Sequence, residues 1–210
     1  MSRPAGRRTR KSMESRNRIV ECAAALFGVR GYQDTTMEEI GECADVSRAT
    51  VFNYFPRKED LVLAWFDSRR ADLAGILAPS ADRSHDTPDR LREAFRALAR
   101  IFEDDPRNGR GMVRAWLQAG GSLLKSDSET TRLFAAALRA GQERGDVSRE
   151  TDPDRAGRLL FDAYIGVLYR WVTAQQPPED LEKSLLAVLD LLLRGIASPP
   201  RKAVRTARSR

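Results

Sequence analysis

Histidine and cysteine, which often carry catalysis and metal binding, are scarce: the 210 residues include one histidine and two cysteines. Cys22 and Cys43 show neither close metal spacing nor the density of a secreted disulfide scaffold, so both are predicted to be buried as small hydrophobic residues. A thiol switch has no cationic neighbour in the sequence to support it. His85 lies in a loop, where a solvated side chain is expected rather than a catalytic base. Because nucleophile-elbow, Walker-loop and zinc-spacing motifs are also missing, we expect no enzyme, metal site or cofactor.

Long uncharged segments are missing as well. The longest run without Asp, Glu, Lys or Arg is the ten residues from Ala115 to Leu124, whereas a membrane-spanning helix needs about 20 apolar residues. The segment 19–29 follows a basic amino end, but it contains Glu21 and is not followed by a signal-peptide cleavage site. With 41% hydrophobic residues, the chain can bury a substantial core. We predict a cytoplasmic protein that makes no membrane contact.

Positive charge is concentrated at the two ends of the chain. Residues 1–18 and residues 194–210 each carry a net charge of +6, which leaves −6 on the middle of a chain whose total is +6. Basic ends on an acidic body favour nucleic acid as the partner, because neither end has the apolar face of a membrane helix. The alternative is that the ends only keep the protein soluble. We predict a disordered basic arm over 1–12 and a basic disordered tail over 198–210.

Apolar residues recur at three- and four-residue steps, without strand-like alternation or an internal repeat. This spacing predicts an all-α protein with three helices over 13–60 and a six-helix bundle over 61–197. The predicted helices are 13–29, 36–43 and 47–54, followed by 58–77, 89–102, 110–124, 129–144, 154–174 and 178–196.

The second and third predicted helices have the pattern of two short helices that cross at a tight turn. Ile40 and Ala44 face inward from one helix and Val51 from the other. Gly41 lets the two backbones approach closely, and Asp45 occupies the turn position where a left-handed conformation is usual. This pattern predicts a helix-turn-helix.

Capping residues support both helix starts. A capping box pairs Thr36 with Glu39, or alternatively Thr35 with Glu38, and Ser47 caps the second helix. Two of the acidic residues thereby belong to a helix N-terminus, where the helix dipole favours negative charge.

The outward residues of the helix 47–54 are expected to reach DNA. Arg48 is the best candidate for sequence specificity, because a bidentate arginine–guanine contact contributes roughly 1–3 kcal/mol of discrimination. Four bases against eight acids lie between Ile19 and Asp60, so the basic arm is assigned to phosphates or the minor groove. The alternative is that Arg48 and Lys58 only solvate a helix surface. The predicted DNA-binding residues are Thr36, Ser47, Arg48, Ala49, Thr50, Phe52, Asn53, Tyr54 and Lys58.

A larger set of residues has a spacing that is shared with a known family. The set comprises Arg18, Ile19, Ala23, Ala24, Phe27, Gly31, Tyr32, Thr35, Thr36, Ile40, Val46, Ser47, Ala49, Thr50, Phe52, Tyr54, Phe55, Lys58, Glu59 and Leu61. It resembles the amino-terminal domain of TetR-family transcriptional regulators. The resemblance implies a homodimer with a three-helix DNA-binding domain over 13–60 and a regulatory and dimerisation domain over 61–197. The regulatory domain of such a protein binds a small molecule and then releases the operator. Phe52 stands where the family usually has tyrosine, and Gly41 where it usually has alanine.

The regulatory region carries no motif of comparable specificity. Aromatic residues at helical spacing favour an apolar ligand pocket, although such residues are more often part of the core. The predicted ligand-binding residues are Trp65, Phe95, Phe102, Trp116, Gln118, Phe134 and Tyr164.

The last two helices carry broad apolar stripes that predict a dimer surface, with packing inside one subunit as the alternative. The predicted interface residues are Leu160, Ala163, Val167, Trp171, Leu185, Leu189 and Leu192.

Together these observations predict a homodimeric repressor that binds a pseudo-palindromic double-stranded operator and is released by a small apolar or aromatic ligand. The first alternative is a ligand-independent or architectural DNA-binding protein, which predicts a filled core in the second domain. The second alternative is a helical protein-interaction module with a vestigial helix-turn-helix, which predicts that loss of Arg48 and Thr50 is tolerated.

Overall fold

The computed structural model of the chain describes residues 5–78, 86–120, 129–174 and 180–196. The described residues form nine α-helices, which confirms the predicted all-α architecture of a helix-turn-helix region followed by a six-helix bundle. The helices are α1 (Ala5–Arg30), α2 (Met37–Cys43), α3 (Arg48–Tyr54), α4 (Lys58–Leu77), α5 (Thr87–Glu103), α6 (Pro106–Gln118), α7 (Glu129–Arg144), α8 (Pro153–Thr173) and α9 (Leu181–Ile196).

The first helix is longer than predicted. It begins at Ala5, so residues 5–12 continue α1 and are not the disordered arm that the charge pattern predicted. Arginine and lysine are good helix formers, and Arg10 pairs with Glu14 one turn later at 3.5 Å. Ser12 and Tyr54 share a hydrogen bond of 2.9 Å between their hydroxyl oxygens, which ties this part of α1 to α3. Residues 1–4, the tail 198–210 and His85 lie outside the described residues.

Helix α6 also begins earlier than predicted, at Pro106. The Asp105 side chain accepts a hydrogen bond of 3.2 Å from the backbone N–H of Asn108, and proline fits the first helical position because its missing N–H has no helical partner there. Gly109, predicted to end a loop, therefore lies within the helix. A Cβ atom at this position would lie 2.7 Å from the carbonyl oxygen of Phe102, so glycine allows α6 to start directly after α5.

The hydrophobic core continues from the helix-turn-helix region into the bundle. Helix α1 packs against α2, α4 and α6, while α7 packs on α8 and α5 on α9. Within the described ranges, no helix has an apolar stretch of the length that a bilayer requires. Helix α1 therefore connects α2 with the remainder of the fold, and α4 does so from the end of α3.

Cys22 and Cys43 are joined by a disulfide, with Cα atoms 5.8 Å apart. Cys22 is half-buried and Cys43 is exposed, so the prediction of two buried thiols is wrong. The residues are separated by 21 positions, and only the packing of α1 on α2 brings them together. The spacing of the two cysteines in the sequence does not predict this contact.

Most of the predicted dimer residues pack inside the single subunit. Ala163 and Leu192 remain half-buried. The other five belong to the core of the single subunit, which is the alternative that the sequence left open: Leu160, Val167, Trp171, Leu185 and Leu189 are each no more than 5% exposed. The large apolar side chains that α8 and α9 leave exposed are instead Leu159, Tyr169 and Leu191, at 50%, 47% and 66% exposure.

Candidate nucleic-acid interface

Helices α2 and α3 cross as the sequence predicts. Ile40, Ala44 and Val51 are fully buried between them. A Cβ atom at Gly41 would lie 3.0 Å from the carbonyl oxygen of Val46, which confirms the predicted close approach of the backbones. Asp45 has a φ of 51° and supplies the left-handed residue of the turn. The geometry is that of a helix-turn-helix.

Both short helices are capped by their own side chains. Of the two predicted capping boxes the structure contains that of Thr36 with Glu39: Thr36 Oγ1 accepts from the Glu39 N–H at 3.2 Å, and Glu39 Oε2 accepts from the Thr36 N–H at 2.8 Å. The hydrogen bond from the Thr36 backbone is the largest of the causes that lower the pKa of the Glu39 carboxyl. Ser47 Oγ accepts from the Thr50 N–H at 3.2 Å, as predicted. These caps fix where α3 begins.

The outer face of α3 presents most of its predicted DNA-binding side chains to solvent. Ser47, Arg48, Ala49, Phe52 and Asn53 are exposed, and Thr50 is half-buried. The Arg48 guanidinium donates a hydrogen bond of 2.5 Å to Glu38 on α2. It also lies 5.4 Å from the centre of the Phe52 ring. Phe52 therefore supports Arg48, a role that the missing tyrosine hydroxyl does not affect.

Lys58 is used inside the subunit. Its ammonium donates hydrogen bonds to the carbonyl oxygens of Tyr32 and Thr35 at 2.6 and 2.9 Å, and it lies 4.5 Å from the centre of the Tyr32 ring. A weaker third bond of 3.4 Å reaches the carbonyl of Gln33. The ammonium thus holds the loop between α1 and α2 against α4. A phosphate contact, which the sequence predicted for this residue, would need these bonds to break.

The basic start of α1 lies beside the end of α3. The hydrogen bond between Ser12 and Tyr54 joins the two helices, and the Arg16 guanidinium lies 5.1 Å from the centre of the Phe55 ring. These contacts bring α1, with its exposed Arg10 and Lys11, to the recognition helix. The fold thereby supplies the cations that the acidic sequence of the helix-turn-helix lacks.

The contact between α1 and α6 is made by backbone atoms. A Cβ atom at Gly111 would lie 2.5 Å from the Cα of Gly28, and a Cβ at Gly28 would lie 3.1 Å from the carbonyl oxygen of Arg107. On another side of α1, Glu21 accepts hydrogen bonds of 3.1–3.3 Å from Arg69 of α4. Because the helix backbones are in contact, a displacement of α6 must also displace α1.

Five of the seven predicted ligand residues fall into two aromatic clusters in the bundle. Phe95 and Phe134 stack with ring centres 5.7 Å apart. The larger cluster consists of Trp65, Phe66, Phe102, Trp116 and Trp171, whose neighbouring ring centres lie 5.1–6.5 Å apart. Tyr164 is buried against Phe161, whereas Gln118 is exposed at the last turn of α6 and lies outside both clusters.

Among the described residues, no hydrogen-bond acceptor reaches two buried nitrogen atoms beside the larger cluster. They are Nε1 of Trp65 and Nε of Arg110, whose guanidinium lies 4.3 Å from the centre of the Trp171 ring. Arg110 was not predicted as a site residue, because its proximity to Trp171 depends on how α6 packs on α8. Among the described residues no cluster of His, Cys, Asp and Glu side chains could hold a metal ion.

Comparison with known proteins identifies the family. A family model described as bacterial regulatory proteins of the tetR family matches residues 19–65. The solved structure of Thermus thermophilus FadR, a TetR-family transcriptional repressor in complex with lauroyl-CoA, is 31% identical to this chain. The likeness covers 89% of this chain and 98% of the other, with a TM-score of 0.61. The chain belongs to the TetR family.

Two curated relatives extend the likeness of this TetR-family chain along its length. The HTH-type transcriptional regulator TtgR of Pseudomonas putida is 29% identical over 206 residues, covering 89% of this chain and 95% of its own. The HTH-type transcriptional repressor KstR of Rhodococcus jostii is 26% identical over 186 residues, covering 86% and 83%. These relatives are regulators of transcription, and the TetR-family chain is accordingly a transcriptional regulator and not an enzyme.

The ion pair between Glu38 and Arg48 is predicted to lower the affinity of this TetR-family protein for DNA. Glu38→Gln should raise affinity for the specific duplex by up to about fivefold, because an exposed ion pair that competes with DNA contributes about 0.2–1 kcal/mol. The two side chains are 54% and 61% exposed. The dissociation constant, measured by fluorescence anisotropy of a labelled duplex, checks this expectation.

A double-mutant cycle identifies the cause of that gain. If Glu38 acts by holding Arg48, then Glu38→Gln should bring little gain in an Arg48→Ala background. An undiminished gain in that background would mean that Glu38 acts only by repelling phosphates.

Proposed function

We propose that the protein is a cytoplasmic homodimeric repressor that binds a pseudo-palindromic operator and leaves it when a small apolar or aromatic ligand binds. The observation that carries the proposal is the capped helix-turn-helix, whose exposed α3 face lies beside the basic start of α1. A recognition helix of this kind enters the major groove with its N-terminal residues toward the base edges. Arg48 and Thr50 are the residues we assign to base contacts.

The charge arrangement supports DNA as the partner. Arg48 is 61% exposed, so it can leave Glu38 for a guanine at little free-energy cost. Arg10 and Lys11 on α1 are exposed and available to phosphates. Asn53 is exposed on the same helix as Arg48 and is assigned to the DNA backbone. Base contacts are thereby assigned to α3, and phosphate contacts to α1 together with Asn53.

The exposed apolar side chains of α8 and α9 support a homodimer. Leu159, Tyr169 and Leu191 are exposed on these two helices, and a surface that they form together would favour association. A Cβ atom at Gly166 of α8 would meet only Arg170, at 3.8 Å, so this position leaves room for a partner helix to approach. A two-fold axis here would present two copies of α3 to one operator.

The bundle offers features that suit an amphipathic effector. A cavity of about 390 Å³ lies among α1, α4, α5 and α6, and ligand pockets typically occupy about 300–1,000 Å³. Trp65, Leu73 and Leu98 line one part of it, and charged side chains, among them Arg69 and Asp104, line another. The unpaired Nε1 of Trp65 and Nε of Arg110 are buried donors that a ligand oxygen could satisfy. FadR of Thermus thermophilus holds lauroyl-CoA, a ligand with a long apolar chain.

Release of DNA would follow from differential binding. A ligand that favours one position of α6 also favours one position of α1, because Gly28 and Gly111 bring the two backbones into contact. If that position separates the two α3 helices from adjacent major grooves, affinity for DNA falls by the same factor that DNA imposes on the ligand.

A ligand-independent DNA-binding protein is the second candidate. The observation that favours it is the dense packing of the aromatic clusters: Phe95, Phe102 and Phe134 are fully buried and Trp65 is 2% exposed. A filled core leaves these side chains with a structural role only.

Selection of bound sequences from a random duplex pool at physiological salt tests the proposal. The wild-type protein should recover a pseudo-palindrome with half-sites about one helical turn apart. Arg48→Ala should relax the preference at one position of each half-site and weaken binding of the wild-type sequence by about 1–3 kcal/mol. Arg139→Ala is the matched control, because Arg139 is exposed on α7 and pairs with Asp154 of α8.

The outcomes separate the candidates. If the selected duplexes share no consensus and affinity simply rises as salt falls, the result would contradict sequence-specific recognition and favour an architectural protein. An unchanged consensus for Arg48→Ala would contradict its assignment to a base edge. The recovered duplex then serves as the probe for ligands that release the protein, and failure of amphipathic ligands to release it would favour the ligand-independent candidate.

A further inference from the structure

The disulfide between Cys22 and Cys43 lies inside the helix-turn-helix region. It joins α1 to the last residue of α2, directly before the turn that leads to α3. On α1, Cys22 lies about two helical turns before Gly28, where α1 contacts α6. The bond therefore connects the helix that contacts the bundle with the helix that positions the recognition helix.

We propose that Cys22 and Cys43 form a reversible redox site, and that its oxidised form binds DNA more tightly than its reduced form. The part of this proposal that concerns DNA rests on the function proposed above. In the compartment that holds DNA, thiols are kept reduced, and disulfides that form there are usually transient and redox-sensing. A disulfide within a DNA-binding region is therefore suited to report the presence of an oxidant.

The bond is compatible with an intact helix-turn-helix. Ile40 and Ala44 of α2 are fully buried, as is Ala23 of α1, beside Cys22 in the sequence. The capping box of Thr36 and Glu39 is formed in the same structure. Oxidation thus leaves α2 and α3 packed in the arrangement that is assigned to DNA.

Reduction removes the disulfide that cross-links α2 to α1. Helix α2 has seven residues, and isolated helices below about 12 residues are marginal in water. Its position then depends on noncovalent contacts, chiefly the burial of Ile40 and Ala44 and the ion pair of Glu39 with Arg30 of α1, so the helices can move more before they bind. A site that is held in its bound conformation binds more tightly, because less ordering remains to be done on association.

The two cysteines differ in accessibility in a way that gives each a chemical role. Cys43 is exposed and Cys22 is half-buried. The Cys43 thiolate is accordingly the group that meets a hydroperoxide and becomes a sulfenic acid, which the Cys22 thiol converts to the disulfide. In total the two thiols give two electrons and two protons to the hydroperoxide; the S–S bond forms, the O–O bond breaks, and an alcohol and water leave.

The reverse reaction uses a small monothiol such as glutathione. A thiolate attacks the accessible sulfur of Cys43, breaks the S–S bond and releases the Cys22 thiolate. A second monothiol then attacks the mixed disulfide and releases Cys43. Two monothiols thereby become one small disulfide, while both cysteines return to the reduced form.

The test compares the full-length protein in oxidised and reduced glutathione buffers. The chain has two cysteines, so thiol labelling followed by mass spectrometry counts this site alone. Oxidised wild-type protein should bind the duplex recovered by selection about tenfold more tightly than reduced wild-type protein, within the range typical of coupled sites. The Cys22→Ser/Cys43→Ser double variant should bind like the reduced protein in both buffers.

Thermodynamic reciprocity gives an independent measurement on the wild-type chain. A tenfold preference of DNA for the oxidised form requires that saturating duplex shift the dithiol–disulfide equilibrium tenfold toward the disulfide. For a two-electron couple this factor corresponds to about 30 mV. Thiol labelling at a series of glutathione ratios, with and without the duplex, measures this shift.

Each result decides the proposal. Equal affinity of the two wild-type forms, or labelling that finds two free thiols in every glutathione buffer, would overturn it. If no duplex binds in any form, the proposed DNA function fails. Hydrogen exchange of the α2 amides in the DNA-free protein then tests the redox site separately. Slower exchange in the oxidised form supports the site, and equal exchange overturns it.

Discussion

Gly111→Ala is expected to destabilise the protein by about 1–3 kcal/mol, although alanine is the better helix former. The added Cβ would lie 2.5 Å from the Cα and 2.7 Å from the nitrogen of Gly28. Both neighbours are backbone atoms of α1, so they cannot rotate away as a side chain can. Either α6 or α1 must move as a whole, and the packing around the contact is lost with that movement.

Gly75→Ala is the matched control, because Gly75 also lies inside a helix of the bundle. Among the described residues, no atom outside the neighbouring backbone of α4 lies within 4 Å of a Cβ built at this position. The same substitution should therefore stabilise the protein by about 0.5–1 kcal/mol through helix propensity. Urea unfolding followed by circular dichroism measures both changes. Equal effects of the two substitutions would contradict the backbone contact between α1 and α6.

The same pair of variants tests how the two regions are coupled. If the contact between α1 and α6 carries the effect of a ligand to α3, Gly111→Ala should also change how strongly an effector releases the duplex. Gly75→Ala should leave this coupling unchanged, because Gly75 makes no contact with α1. A Gly111→Ala protein that is destabilised but releases DNA normally would place the coupling elsewhere, for example at the ion pair of Glu21 with Arg69.

Features that depend on neighbouring residues in the chain could be predicted from the sequence. The caps formed by Thr36 and Ser47 need a partner only three residues away, and the left-handed Asp45 follows from the length of the turn. Helices α4 and α7 have the predicted bounds because turn residues mark their ends, with Pro56 shortly before α4 and Gly145 directly after α7. Local physics decides these elements, so a single sequence is sufficient.

Features that depend on packing between distant elements could not be predicted. The bond between Cys22 and Cys43 and the contact of Gly28 with Gly111 both require the position of α1 relative to another helix. The apolar stripe of α8 shows that a surface is covered, but it does not show by what. Val167 is therefore buried by its own subunit, although the sequence allows a partner subunit equally well.

The structure also decides how the basic start of the chain should be tested. Removing residues 1–16 would delete the hydrogen bond of Ser12 with Tyr54 and the contact of Arg16 with Phe55, so lost binding would not distinguish charge from folding. Replacing Arg3, Arg7, Arg8 and Arg10 by glutamine removes four positive charges and retains side chains of similar helix propensity. The contacts of Ser12 and Arg16 with α3 are then retained, and the exposed ion pair of Arg10 with Glu14 is the one described contact that is lost.

Neutralising these four arginines is expected to weaken binding to every duplex and to flatten its salt dependence. Each lost phosphate contact lowers the slope of log K against log salt by about 0.9, so four contacts lower it by about 3.6. Between 50 and 200 mM salt, such a slope change corresponds to about a hundredfold smaller loss of affinity. Anisotropy titrations with the selected duplex and a scrambled duplex, at four salt concentrations, measure both slopes.

The carboxyl end provides a control with the same change in net charge. A second variant also removes four positive charges, by glutamine substitutions at Arg201, Lys202, Arg205 and Arg208. Any effect of total charge alone therefore appears equally in both variants. If phosphates are bound by the basic start of α1, only the amino-terminal variant loses salt dependence. Equal slopes for the two variants would show that the cations beside α3 act through long-range attraction and hold no phosphate in place.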